Sequence, residues 1–216
     1  MRLEAFYRDR PLVMGDRVVM LGVALAFLTA TISGFAIFIN SYAMKEFSSP
    51  TVFATLKITI VGVALLAILV RPEPLREVRR LAPRPRLGLA LLGVIGGGVP
   101  FVLFFEGLSR VSSSNAAFIH KTLFLWVAIL AIVFLKERLG KGQLAALGLL
   151  LLALVLMSGP GALRPGTGEA MILIATLFWA IEVVFAKRLL GTISSSLGAA
   201  GRMAIGAVVL LGYLGA

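Results

Sequence analysis

Seven runs of apolar residues, each near the length of a lipid-spanning helix, follow one another along the chain with short polar turns between them. They cover residues 18–40, 51–70, 87–108, 114–135, 142–158, 169–186 and 197–216. A helix rises about 1.5 Å per residue, so about 20 apolar residues cross a hydrocarbon core. The pattern predicts an all-α integral membrane protein of about seven transmembrane helices. Asp16 is placed to cap the first helix. That first run is too long for the apolar region of a signal peptide, so it is expected to stay uncleaved behind a short arm, residues 1–17. Residues 71–86, with two Pro-containing Arg clusters, read as a loop, and residues 159–168 as an external Gly/Pro turn. Gly96-Gly97-Gly98 and Pro100 in the third run predict a kink or close helix packing.

Composition agrees with the pattern. Of 216 residues 59% are hydrophobic and 14% charged, and the mean hydropathy is +1.01. A soluble domain is nearer half apolar and a quarter charged. The absence of cysteine removes disulfides and thiol chemistry. A net charge of +11 suggests nucleic acid, but the basic residues lie in loops with no soluble domain to present them, so no nucleic-acid partner is expected. With the N-terminus in the cytoplasm, 15 of the 21 Lys and Arg residues fall inside and only Lys45, Arg110 and Arg164 outside. Lys57, Lys121 and Arg202 remain within the bilayer. This asymmetry predicts a cytoplasmic N-terminus and opposes a receptor-like topology; the expected location is the inner (plasma) membrane of a bacterium.

Two segments also match in outline. Ser33–Val63 aligns with Trp179–Val208: Ser33-Gly34 falls opposite Trp179-Ala180, Ser48-Ser49-Pro50 opposite Ser194-Ser195, and Lys57 opposite Arg202. Five helices separate the copies, an odd number, so the second enters from the opposite side. Inverted repeats of this kind mark secondary transporters, whose site lies near the midplane.

The intramembrane cation of the second helix, the small-residue-rich third helix and the entry Ser112–Thr122 (SSSNAAFIHKT) carry a resemblance. So do the Phe134–Leu152 turn (FLKERLGKGQLAALGLLLL) and Trp179-Ala180. Together these residues resemble the EamA-type transporters of the drug/metabolite transporter superfamily. The resemblance implies one five-helix repeat over residues 18–158, an external linker over 159–168, and the first two helices of an inverted second repeat over 169–216. It also implies ten helices in all, so the sequence is expected to be a piece of a longer carrier. The chain departs from the family in having Trp-Ala where Trp-Gly is usual, and no proline near Phe124.

An ionisable side chain inside a span is costly unless it faces protein or water. Lys57, His120 and Lys121 fall in the outer half of the bilayer, and Glu182 and Arg202 in the inner half at matching depth. Glu182 has no cation on its own helical face, so Arg202 is the expected partner, either as a static brace or as part of a pathway. Lys57 and Lys121 are substrate candidates, with snorkelling as the structural alternative. Asn115, Asn40 and Ser33 offer neutral hydrogen bonds, Trp179 stands at the helix 6 signature, and Trp126 is expected to pack. Glu106 has Arg110 four residues on and reads first as a surface pair. Glu137, Arg138, Lys187 and Arg188 read as groups of the cytoplasmic interface. The lone His120 makes no metal site and no cofactor is implied. Every Asp lies within residues 1–16, which leaves no catalytic dyad for a membrane-embedded enzyme.

The expectation is an EamA-like permease or exporter of a small metabolite. The excess of buried cations tilts the substrate toward an amino or organic acid. The alternative is a non-transporting membrane subunit. The partners expected of the protein are the lipid bilayer, a small-molecule substrate, and either a second copy or the missing C-terminal helices.

Overall fold

The structure is a computed structural model that describes residues 16–69, 72–158 and 166–215. Most of the N-terminal arm, Arg71 and Arg164 lie outside the described residues. The chain divides into two compact units, Met1–Glu46 and Phe47–Ala216.

In the first unit, helix α1 (Asp16–Ala43) ends in a 3-10 turn, Met44–Glu46. Its large apolar side chains face outward, Phe27 at 74% exposure. Such a helix suits lipid rather than water. Thr29 and Thr31 turn their hydroxyls back onto the carbonyls of Leu25 and Phe27, which satisfies them without solvent.

The second unit contains α2 (Pro50–Leu69), α3 (Pro72–Arg80) and α4 (Pro83–Leu92). A π-helical segment, Gly93–Gly98, joins α4 to α5 (Val99–Leu108). Then come α6 (Ser113–Lys121), α7 (Leu123–Leu135), α8 (Lys141–Ser158), α9 (Thr167–Leu189) and α10 (Ser195–Leu214). Among the described residues six helical stretches are long and apolar enough to cross a membrane, while the apolar part of α8, Lys141–Leu156, is shorter.

Two local features differ from the pattern reading, the helix over residues 72–80 and a break within the run 114–135. Residues 72–80 are helical, not loop, and the next helix begins at Pro83. Proline fits the first turn of a helix because the N–H it lacks has no partner there. The run 114–135 breaks at Thr122, whose hydroxyl donates to the Ile119 carbonyl at 2.6 Å and accepts from Trp126 Nε1 at 3.2 Å. The basic turn after α7 starts with Lys136 in the left-handed region, φ 55°, which ends the helix abruptly.

The core lies where α10 crosses α2 and the π-helical segment, and where α9 crosses α5. Small residues permit this approach. A Cβ on Gly97 would overlap the Arg202 carbonyl oxygen, and one on Gly206 would overlap the Gly97 carbonyl. Gly62 of α2 lies against the Met203 backbone in the same way. Without a hydrophobic drive between helices in lipid, such backbone proximity supplies the packing. Ile58, Leu210, Ile172 and Leu197 fill the remaining space, each 2% exposed or less. Glu77 of α3 accepts hydrogen bonds from the Ser194 backbone N–H (2.7 Å) and hydroxyl (2.6 Å), which ties the short amphipathic helix to the cap of α10.

Candidate functional site

Pro100 has no N–H to give the carbonyl four residues before it, which is that of Gly96. The π-helical turn around Gly96 therefore presents a backbone acceptor to the bundle interior. Two side chains from the last two helices use it: Trp179 Nε1 of α9 donates at 3.0 Å and Arg202 Nη2 of α10 at 2.9 Å. Both donors reach this oxygen because Gly96 has no side chain; a Cβ there would overlap the Glu182 carboxyl.

Glu182 lies one turn beyond Trp179 on α9 and is 8% exposed. Arg202 Nη2 donates to its Oε2 at 3.0 Å, and Arg202 Nε forms an ion pair with Oε1 but makes no hydrogen bond among the described residues. The one charge-assisted hydrogen bond and the ion pair together hold the guanidinium against the carboxylate. The guanidinium also stands 5.9 Å from the Phe101 ring centroid. A carboxylate and a guanidinium are thus held inside apolar spans, with a backbone carbonyl as the third member.

Aromatic side chains continue the site from Trp179 toward α6. The His120 ring lies 5.0 Å from Trp179 and 5.2 Å from Phe104, both edge-on, and Phe104 in turn lies 5.4 Å from Trp179. His120 Nδ1 is enclosed without a hydrogen-bond partner among the described residues. The cluster joins one ionisable imidazole to the Glu182–Arg202 pair through Trp179 and Gly96.

The remaining expected residues are not drawn into this cluster. Lys121 is exposed on the opposite side of α6 and lines a groove of about 350 Å³ with Ser114, Phe118, Phe124, Leu150 and Leu154. Lys57 is half-buried on α2, with no ion pair or hydrogen bond among the described residues. Asn115 is half-buried near the start of α6, its backbone N–H capped by the Ser112 hydroxyl at 3.3 Å. Asn40 and Ser33 belong to α1 in the first unit. Glu106 pairs with Arg110 at 3.6 Å and also accepts the Thr51 hydroxyl, which couples α5 to α2. Lys187 pairs with Glu137, and Arg188 donates to the Phe134 carbonyl, at the end of α7. Among the described residues no cluster of His, Cys, Asp and Glu is spaced to hold a metal ion.

Gly96, Phe101 and Phe104 were not singled out as site residues from the sequence. The signal for Gly96 is nonetheless there, a proline four positions after a glycine within an apolar run.

Residues 20–159 match the EamA-like transporter family, a stretch that runs from α1 past α8 and includes Lys57, Gly96, Pro100 and His120. The chain belongs to the EamA-like transporter family. Trp179, Glu182 and Arg202 lie beyond the matched stretch, so that stretch supplies one wall of the site and the last two helices the other. An uncharacterized transporter of Archaeoglobus fulgidus is 25% identical over 187 residues, which cover 87% of this chain and 65% of that relative. The chain thus spans a little under two thirds of the length of the curated relative it matches. No solved structure matches.

Proposed function

We propose that the protein is a secondary transporter, an exporter or permease, that moves a small carboxylate-bearing metabolite, such as an amino or organic acid, by alternating access. The observation that carries this reading is the guanidinium of Arg202, held within apolar spans by one carboxylate and one carbonyl. A substrate carboxylate is the chemical equal of the Glu182 side chain. When Glu182 takes up a proton it gives up its charge, and Arg202 is left to pair with an incoming carboxylate. When Glu182 loses the proton it reclaims Arg202, and the substrate is released. One proton and one substrate anion are thus taken up together and released together, which couples their movements. Lys57, His120, Asn115 and Trp179 are the proposed lining of the rest of the route. The direct packing of α2 on α10, the helices that carry Lys57 and Arg202, supports a repeat organisation in which residues 169–216 begin an inverted second copy.

The test is reconstitution into proteoliposomes with a panel of labelled amino and organic acids under an imposed pH gradient. Uptake of at least one solute is expected, and Glu182→Gln or Arg202→Gln should reduce it. Hydrogen bonds to charged groups are worth about 1.5–3 kcal/mol, so the loss should be roughly tenfold to a hundredfold. Wild-type uptake by both variants, each monodisperse in detergent, overturns the proposal.

A further inference from the structure

At the end of the bundle that carries α3, the start of α4 and the end of α9 face each other across a groove of about 400 Å³. Arg84 and Arg188 stand on its two sides, with Thr192 at the rim and Gly88, Phe185 and Leu189 as its floor. Arg188 and Phe185 also border a second groove of about 350 Å³, which runs between α7 and α9 over Leu130, Phe134, Ile181 and Val184. Arg84 and Arg188 therefore share one groove, and Arg188 and Phe185 join it to a second, apolar one between α7 and α9.

The nearby acids are already engaged. Glu77 accepts from Ser194, and Glu137 pairs with Lys187. Arg188 has only the Phe134 carbonyl, which holds its guanidinium in place, and Arg84 has no hydrogen bond or ion pair among the described residues. Both side chains are exposed. One guanidinium held in place and a second across the groove, neither with a counter-ion, select an anion, and the apolar groove beside Arg188 selects a molecule with an aliphatic tail. Basic pockets between transmembrane helices at one leaflet bind anionic head groups on this principle.

We propose that this double groove is a binding site for one anionic phospholipid. The phosphate lies between Arg84 and Arg188, and an acyl chain lies along Leu130, Phe134 and Ile181. The lipid ties α4 to α9, the helix that carries Trp179 and Glu182. This site is separate from the Glu182–Arg202 pair and does not depend on the transport reading.

Native mass spectrometry of the full chain in detergent tests it, with phosphatidylglycerol and phosphatidylcholine of identical acyl chains as probes. One phosphatidylglycerol is expected to remain bound at concentrations where phosphatidylcholine is lost. The double variant Arg84→Gln/Arg188→Gln should raise the half-saturating phosphatidylglycerol concentration about tenfold or more, because each basic residue facing an anionic lipid contributes about a fivefold gain. Arg84→Lys/Arg188→Lys should retain most of the binding, and Arg79→Gln/Arg80→Gln all of it. Ile181→Trp, which narrows the apolar groove and leaves both arginines, should weaken long-chain phosphatidylglycerol but not the dihexanoyl form. Equal retention of the two lipids, or wild-type binding by the double glutamine variant, overturns the proposal. Displacement of the lipid by a tenfold excess of inorganic phosphate overturns it too, because the site would then be one for a free anion.

Discussion

Glu182 and Arg202 lie twenty residues apart on consecutive helices and meet through two contacts, one of them the 3.0 Å bond from Nη2 to Oε2. Burial makes each dependent on the other. Truncation of one partner leaves an uncompensated charge at a cost of about 3–5 kcal/mol, whereas an apolar pair of similar volume often restores stability. Glu182→Ala is therefore expected to lower the melting temperature in detergent sharply, and Glu182→Leu/Arg202→Met to recover most of the loss. Lys187→Ala breaks an exposed pair with Glu137 and should change stability by about 1 kcal/mol or less. Equal losses in Glu182→Ala and Lys187→Ala would show that the intramembrane pair is not held apart from water.

The crossing of Gly97 and Gly206 leaves no space for a methyl group on either backbone. Gly97→Ala and Gly206→Ala are each expected to force α10 away from the π-helical segment, and with it Arg202 from Gly96. Overpacking of this kind costs about 1–3 kcal/mol. Gly148→Ala on α8 meets nothing within 4 Å and serves as the control. Thermal melting and size-exclusion profiles of the three variants check the contrast, and wild-type stability in Gly97→Ala would contradict the crossing.

Glu77 and Ser194 form a latch whose two hydrogen bonds depend on the same carboxylate. Loss of an N-cap residue costs about 0.5–2 kcal/mol. Glu77→Ala and Ser194→Ala should each destabilise the α10 start within that range, and the double variant should cost less than the two together. Hydrogen exchange at the amides of residues 197–198 reports the effect directly. Strict additivity would separate the two residues energetically.

The absence of cysteine makes the orientation easy to read, because one introduced thiol is the only one present. Ser48 and Arg80 are both exposed, before the start of α2 and at the end of α3. An impermeant maleimide applied to intact cells is expected to label Ser48→Cys, and to label Arg80→Cys only after the membrane is opened. The reverse pattern would invert the orientation that the basic loops imply.

The Glu182–Arg202 contact was legible in the sequence because depth along a span follows from residue number, and each had no partner on its own helix. The kink around Gly96-Gly97-Gly98 and Pro100 was legible as a disturbance, since glycine and proline act locally. Its π-helical form and its acceptor role were not, because both depend on where α9 and α10 place Trp179 and Arg202. The same gap explains Lys121. Its depth was inferred from the sequence, yet it lines the α6–α8 groove while the adjacent His120 turns to Trp179 and Phe104. The prolines and arginines of residues 71–86 read as a loop, whereas Pro72 and Pro83 each stand in the first turn of a helix, where proline fits.

The sequence by itself determined that the chain is helical, that it lives in lipid, which of its charges lie deep, and which family its first part resembles. These follow from length, hydropathy and residue identity, which need no partner to act. The tertiary structure decided which deep charges meet and which face outward. A helix turns by about 100° per residue, and a run that is apolar on every side carries no record of its own rotation. The close approach of glycine-lined backbones fixes that angle for α10 and sets Arg202 against Glu182 and Gly96, while the packing of Ala116 and Ile119 on Ile172 fixes it for α6 and leaves Lys121 in the α6–α8 groove.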